Sequence, residues 1–150
     1  MSIEGQKFYP GDTATPHQIV LLANEYRLAA DALRQTARRR EPISLAPYRF
    51  VAIHAIELYL NAVLLAAGHP SAKLRGLHHD LASRTTFPPI AKLNLRTRTL
   101  EHLRSLSETR EYLVTRYDPA ASSASQLNRL AATLHEIAEK VTGFVKPSLG

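Results

Sequence analysis

Apolar residues recur three and four positions apart along most of the chain, the period of a helix buried on one side. The stripe Ile19, Ala23, Tyr26, Ala30, Leu33, Ala37 predicts a first helix from Pro16, with Thr15 as N-cap, Pro in the first turn and Glu41-Pro42 as breaker. A second helix is predicted from about Pro47 to Ala67, apolar nearly all round and closed by Gly68 and Pro70. A short helix is expected near His79–Ser83, ended by Pro88-Pro89. A third long helix is expected from about Leu95 to Tyr117, stopped by Asp118-Pro119. The last carries Leu127, Leu130, Leu134, Ile137, Val141 and Phe144, with Ser123 and Gln126 at capping-box spacing ahead of it and Gly143 and Pro147 at its close. No strand-like alternation or long-period repeat interrupts this pattern. The expectation is an all-α fold, an up-and-down bundle of four long helices plus one short one. A single domain is expected over residues 16–145, between a flexible segment 1–15 and a flexible tail 146–150.

Composition narrows the chemistry. The 150 residues contain no cysteine, which excludes disulfides, thiolate metal sites and thiol nucleophiles. The longest apolar run, Phe50 to Ala67, is interrupted by His54, Glu57 and Asn61, and Met1–Gly5 lacks the apolar core of a signal peptide. A cytoplasmic protein with no membrane partner is therefore expected. Net charge is +6, and arginine outnumbers lysine. Between residues 73 and 104, Lys73, Arg75, Arg84, Lys92, Arg96, Arg98 and Arg104 face only Asp80 and Glu101, and a second cluster is Arg38-Arg39-Arg40. Guanidinium groups bind phosphate in a bidentate way, so the balance points to a polyanion such as RNA or a nucleotide. A solvated basic surface, with Arg38–Arg40 complementing a helix C-terminus, reads the same residues without a ligand.

Polar residues that break apolar stripes are the candidates for function. His54, Glu57 and Asn61 share a face of the second helix, where a carboxylate must be paired or hydrogen-bonded. Arg110 takes a leucine's place in the stripe Leu103, Leu106, Arg110, Leu113, Tyr117. A buried arginine there pairs with Glu57 or Asp80, or faces a phosphate or a symmetric partner. Asp80, after His78 and His79, is placed to cap the short helix or to bind Arg110 or a ligand.

Three segments carry a resemblance. His54-Ala55-Ile56-Glu57-Leu58-Tyr59-Leu60-Asn61-Ala62-Val63-Leu64-Leu65 is similar to the A-x-E-x-x-L-K-A-x-L helix of the HEPN superfamily, with Asn61 where lysine is frequent. His79-Asp80-Leu81 is similar to that family's H-D-L after a variable loop. Arg110-Glu111-Tyr112-Leu113-Val114-Thr115-Arg116-Tyr117 resembles its ribonuclease motif, and Arg116-Tyr117-Asp118-Pro119 its R-Y-P ending. The resemblance implies a HEPN-like domain, paired through the helix carrying Arg110. That residue is its candidate catalytic group, and Glu111, Thr115, Arg116, Tyr117, His54, Glu57, Asn61, His79 and Asp80 join it as binding residues. One departure bears on activity: Thr115 stands where the family's catalytic histidine falls, and a threonine hydroxyl does not titrate near neutral pH.

Two functions follow as expectations. The first is a homodimeric domain that binds RNA, a nucleotide or a protein partner, such as a nucleotidyltransferase-type antitoxin, without cleaving RNA. The second is an active metal-independent ribonuclease of a toxin–antitoxin or antiphage system, with His54, His79 or His102 replacing the missing base. Arg96 and His102, with five residues between them, form a looser match to the same motif. No cofactor and no metal are expected, since neither the paired Glu-x-x-His of di-iron bundles nor His-Glu-x-x-His occurs. A purely structural subunit of a larger complex is the remaining reading.

Overall fold

The computed structural model describes residues 9–38, 40–119 and 126–146, and all regular structure among them is helical. In chain order the α-helices are α1 (Pro16–Thr36), α2 (Ala46–Ala66), α3 (Ser71–Gly76), α4 (Leu81–Arg84), α5 (Pro88–Ala91), α6 (Thr97–Glu108), α7 (Glu111–Tyr117) and α8 (Leu127–Phe144). A 3-10 turn, Pro42–Leu45, leads into α2.

α2 is the centre of the core. Tyr48, Ile53, Ile56, Tyr59, Leu60, Val63 and Leu64 are buried on it, and α1, α7 and α8 pack around it. Continuous with the preceding 3-10 turn, Pro42–Ala66 is long and apolar enough to cross a membrane by length and composition alone. His54, Glu57 and Asn61 were expected to shorten that run, but α2 carries only Arg49 and Glu57 as charged residues. Its end is set by geometry that glycine adopts freely: Gly68 sits at φ 96°, and the amides of Gly68 and His69 return to the carbonyls of Leu65 and Leu64.

α1 opens on a reciprocal capping box, Thr15 with Gln18, and Pro16 lies in its first turn. Its buried alanines, Ala23 and Ala30, allow close approach to α2. Tyr59 Oη donates to Asn24 Oδ1 across that contact. α8 buries Leu130, Leu134, Ile137 and Val141 on one face, while Phe144 is exposed. Arg34 donates to Asn128 Oδ1 at 3.1 Å and joins α1 to α8.

The long helix expected over 95–117 is two helices. The Ser105 carbonyl accepts both the Thr109 amide and its hydroxyl, each at 2.9 Å, the Arg110 amide bonds to Ser107 three residues back, and Arg110 turns to φ 53°. The chain restarts as α7 in a new direction, which removes Arg110 and Tyr117 from the buried stripe. Both are exposed. Pro88-Pro89, expected to end a helix, instead occupies the first turn of α5.

Of the segment expected to be flexible, residues 1–8 lie outside the described residues. Within 9–15, Asp12 pairs with Arg75, and Tyr9 lies against the same guanidinium, 4.1 Å from ring centre to carbon. Residues 147–150 of the expected tail also lie outside, as do Arg39 and Ser123, so the capping box foreseen at Ser123 is not described. Arg38 pairs with Glu41 at 2.8 Å.

Candidate functional site

The turn His78–Asp80 gathers most of the predicted residues. Glu57 on α2 meets His79 through Oε1 and Nδ1 at 2.7 Å, and the His79 ring lies 4.2 Å from that of Tyr112 on α7. Asp80 caps α4, accepting from the Ser83 amide at 3.2 Å and the Ser83 hydroxyl at 2.7 Å. These bonds hold its carboxyl below the usual range.

The buried arginine of this region is Arg84, not Arg110. It is 1% exposed. Its Nε donates to Asn61 Oδ1 at 2.8 Å, and its other nitrogens donate to the carbonyls of Asp80 (3.0 Å) and His78 (2.9 Å). Burial lowers its pKa, and the charges of Glu57 and Asp80 oppose that shift. Neutral acceptors thus orient the guanidinium while two nearby carboxylates balance its charge. Removing a guanidinium from water costs several kcal/mol, so such satisfaction is a condition of its burial. The sequence holds a signal for Arg84: it follows Leu81 by three residues and so shares that residue's buried face.

Two clefts share His78 and His79. One, of about 320 Å³, is bordered by Glu57, Asn61, Arg75 and Arg84. The other, of about 300 Å³, is bordered by Asp80, Ser107, Arg110 and Tyr112. His78 and Arg110, at φ 52° and 53°, are both left-handed non-glycine residues on this second cleft. Each such conformation costs on the order of 1–2 kcal/mol, and strain of this kind clusters at binding sites. Arg110 makes no ion pair among the described residues, so of the two arrangements open for it the pairing with Glu57 or Asp80 is not formed.

The remaining candidates divide. Glu111 turns inward, 1% exposed, with Arg49 at 3.6 Å. Thr115 donates its hydroxyl to the Tyr112 carbonyl at 3.3 Å. Arg116 lies over Phe50 (5.3 Å) and Tyr117 (5.1 Å), and Tyr117 is 69% exposed. His54 packs edge-on against Tyr26 at 4.7 Å; burial lowers its pKa, and Glu57 partly offsets the effect. His54 therefore belongs to an aromatic strip with Phe50 and does not line either cleft.

His102, a candidate replacement base that also forms the looser motif match with Arg96, is buried between α6 and α8. Its Nδ1 lies 2.7 Å from Thr133 Oγ1, and its Nε2 is buried without a partner. Burial, with the charges of Arg129 and Arg49, pushes its pKa down to about 4. Nearby, Glu136 accepts from the Arg96 amide, the Thr99 hydroxyl and Lys140. Among the described residues no group of three or more His, Asp or Glu side chains is placed to hold a metal ion.

Comparison with family models, with curated proteins and with solved structures finds no match to this chain.

Proposed function

We propose that the chain is a HEPN-like domain that binds the phosphates of RNA or a nucleotide at the Arg110 cleft. It pairs with a second copy through α7, and does not need to cleave what it binds. The observation that carries this reading is the convergence of the three resembling segments on one turn: Glu57 from α2, His79-Asp80, and Arg110 with Tyr112. Arg110 is exposed, without an ion pair among the described residues and held in a costly conformation, as a group kept for an external anion is. Tyr112 and the His79 ring offer flat surfaces beside it for a base. Exposed Tyr117 gives α7 an apolar contact for its symmetric partner. A nucleotidyltransferase-type antitoxin is a protein partner compatible with the same face.

The Glu57–His79 pair favours the ribonuclease as a second reading. A carboxylate on Nδ1 orients an imidazole for general-base work through Nε2, and His79 lines the cleft with Arg110, whereas His54 and His102 do not. Thr115, tied to its own helix, supplies no base.

The test is anisotropy with a labelled RNA pool, alongside cleavage in EDTA and light scattering, for the parent and Arg110→Ala. Binding by a folded dimer that weakens steeply with salt and is lost in Arg110→Ala supports the domain as a binder. Unchanged RNA affinity in a folded Arg110→Ala variant overturns it. Metal-independent cleavage lost in both Arg110→Ala and His79→Gln selects the ribonuclease.

A further inference from the structure

Of the two clefts that share His78 and His79, the one floored by α2 has no part in holding phosphate at Arg110. It encloses about 320 Å³, room for one small ligand. Glu57 and Asn61 stand one turn apart on its floor, with Leu58 and Leu65 beside them. Ile19 of α1 and Leu74 of α3 add apolar wall. Residues 10–12 close one side, where Asp12 pairs with Arg75 and its carbonyl accepts the Ser71 hydroxyl at 3.3 Å.

Glu57 and Asn61 are each held by one atom and open at another. Glu57 Oε1 accepts from His79 Nδ1 at 2.7 Å, while its Oε2 has no hydrogen bond among the described residues. Asn61 meets Arg84 Nε at 2.8 Å. Arginine has no acceptor, so the Asn61 atom facing it is the carbonyl oxygen. The Asn61 amino group is then the open end, with no hydrogen bond among the described residues. Both side chains are half-buried and border the cleft, so an acceptor and a donor on one helix face are within a ligand's reach. His79 and the buried Arg84 fix them beforehand, so little side-chain freedom is lost on binding.

Charge selects a neutral ligand. The bordering carboxylates, Asp12 and Glu57, stand against two guanidiniums, Arg75 and Arg84, and neither an anion nor a cation is favoured. A nucleobase meets these conditions, with an apolar flat body and a hydrogen-bonding edge. Guanine alone among the common bases has two adjacent N–H groups beside a carbonyl. Each carboxylate oxygen has two lone pairs, so Glu57 can accept N1–H and N2–H without releasing His79, and O6 can accept from Asn61.

We infer that this cleft is a base pocket selective for guanine, read by Glu57 and Asn61. Its place in a nucleotide site rests on the Arg110 reading, because the wall His78–His79 is common to both clefts and sets a base here beside a phosphate there. In an RNA, the surfaces of Tyr112 and His79 then receive a neighbouring base.

The test is equilibrium dialysis of the full chain against labelled guanosine, adenosine and GMP. Guanosine should bind saturably, and adenosine about tenfold or more weaker, for want of one N–H on the carboxylate. GMP should bind tighter than guanosine. Glu57→Gln, nearly isosteric and still able to accept from His79, should weaken guanosine by about tenfold or more. Asn61→Asp keeps an acceptor for Arg84 but replaces the open donor with an acceptor, and should abolish guanosine binding, with urea unfolding reporting that the chain is folded. Arg110→Ala should bring GMP down to the level of guanosine and leave guanosine unchanged. Guanosine bound selectively, with GMP no tighter, supports the pocket and removes the phosphate site at Arg110. No guanosine binding at about 1 mM overturns the pocket. So does equal binding of adenosine, or full guanosine binding by folded Glu57→Gln or Asn61→Asp.

Discussion

Arg84 and Arg110 border the same turn and live under opposite rules. Arg84 is inside, its nitrogens matched to Asn61 and to the carbonyls of His78 and Asp80. Arg110 is outside, with no ion pair among the described residues, at the left-handed break between α6 and α7. The first holds the turn in place; the second is what the turn presents to solvent. A buried guanidinium surrounded by its own acceptors has no valence left for a ligand. An exposed one on a strained backbone contributes little to stability and is available to an anion.

Substitutions should separate the two. Arg84→Met should have the largest effect, costing about 3–4 kcal/mol in urea denaturation, because Asn61 and two carbonyls lose buried donors and Glu57 loses a balancing charge. A loss below about 1 kcal/mol would place Arg84 with the surface arginines and dissolve the contrast.

Acid probes a second buried group by the same logic. His102 is depressed from 6.5 to about 4 in the fold, so its contribution is fully present above pH 6.5. As pH falls from 6.5 towards 4 the unfolded chain takes up a proton that the folded chain refuses, and stability drops by up to about 1.4 kcal/mol per pH unit. His102→Gln should flatten the stability profile over that window. An unchanged slope would mean the imidazole is not buried as described.

Arg110→Gly should raise stability by about 0.5–1 kcal/mol, since glycine relieves the left-handed backbone. Arg110→Ala should change it least, by under about 0.5 kcal/mol, while RNA binding falls. A large destabilisation by Arg110→Ala would make Arg110 a structural residue like Arg84 and remove the distinction.

Much of this was readable before folding. Thr15-Pro16, Gly68 and Asp80 act within one or two turns of themselves, so caps and stops could be located from neighbours alone. The all-helical class followed from a three-four period that needs no long-range information. The grouping of Glu57, Asn61, His79 and Asp80 is implied by the resemblance, and Glu57 and Asn61 also stand out as polar exceptions on an apolar helix. The arginine at its centre is Arg84 rather than Arg110: the spacing from Leu81 is its one local signal in a four-residue helix, whereas Arg110 stands in a stripe that reads as continuous along the sequence.

The sequence by itself determined the all-helical class, the extents of α1, α2 and α8, the caps at Thr15 and Asp80, and which polar residues would be costly to bury, because those depend on contacts close along the chain. Only the tertiary structure decided which arginine goes inside. The Ser105 carbonyl accepts both the Thr109 amide and its hydroxyl, the Arg110 amide shortens its reach to Ser107, the chain turns at Arg110, and α7 sets off against α2 with Glu111 inward. The solvation of a single guanidinium then depends on acceptors 4 to 23 residues away, which no local period encodes.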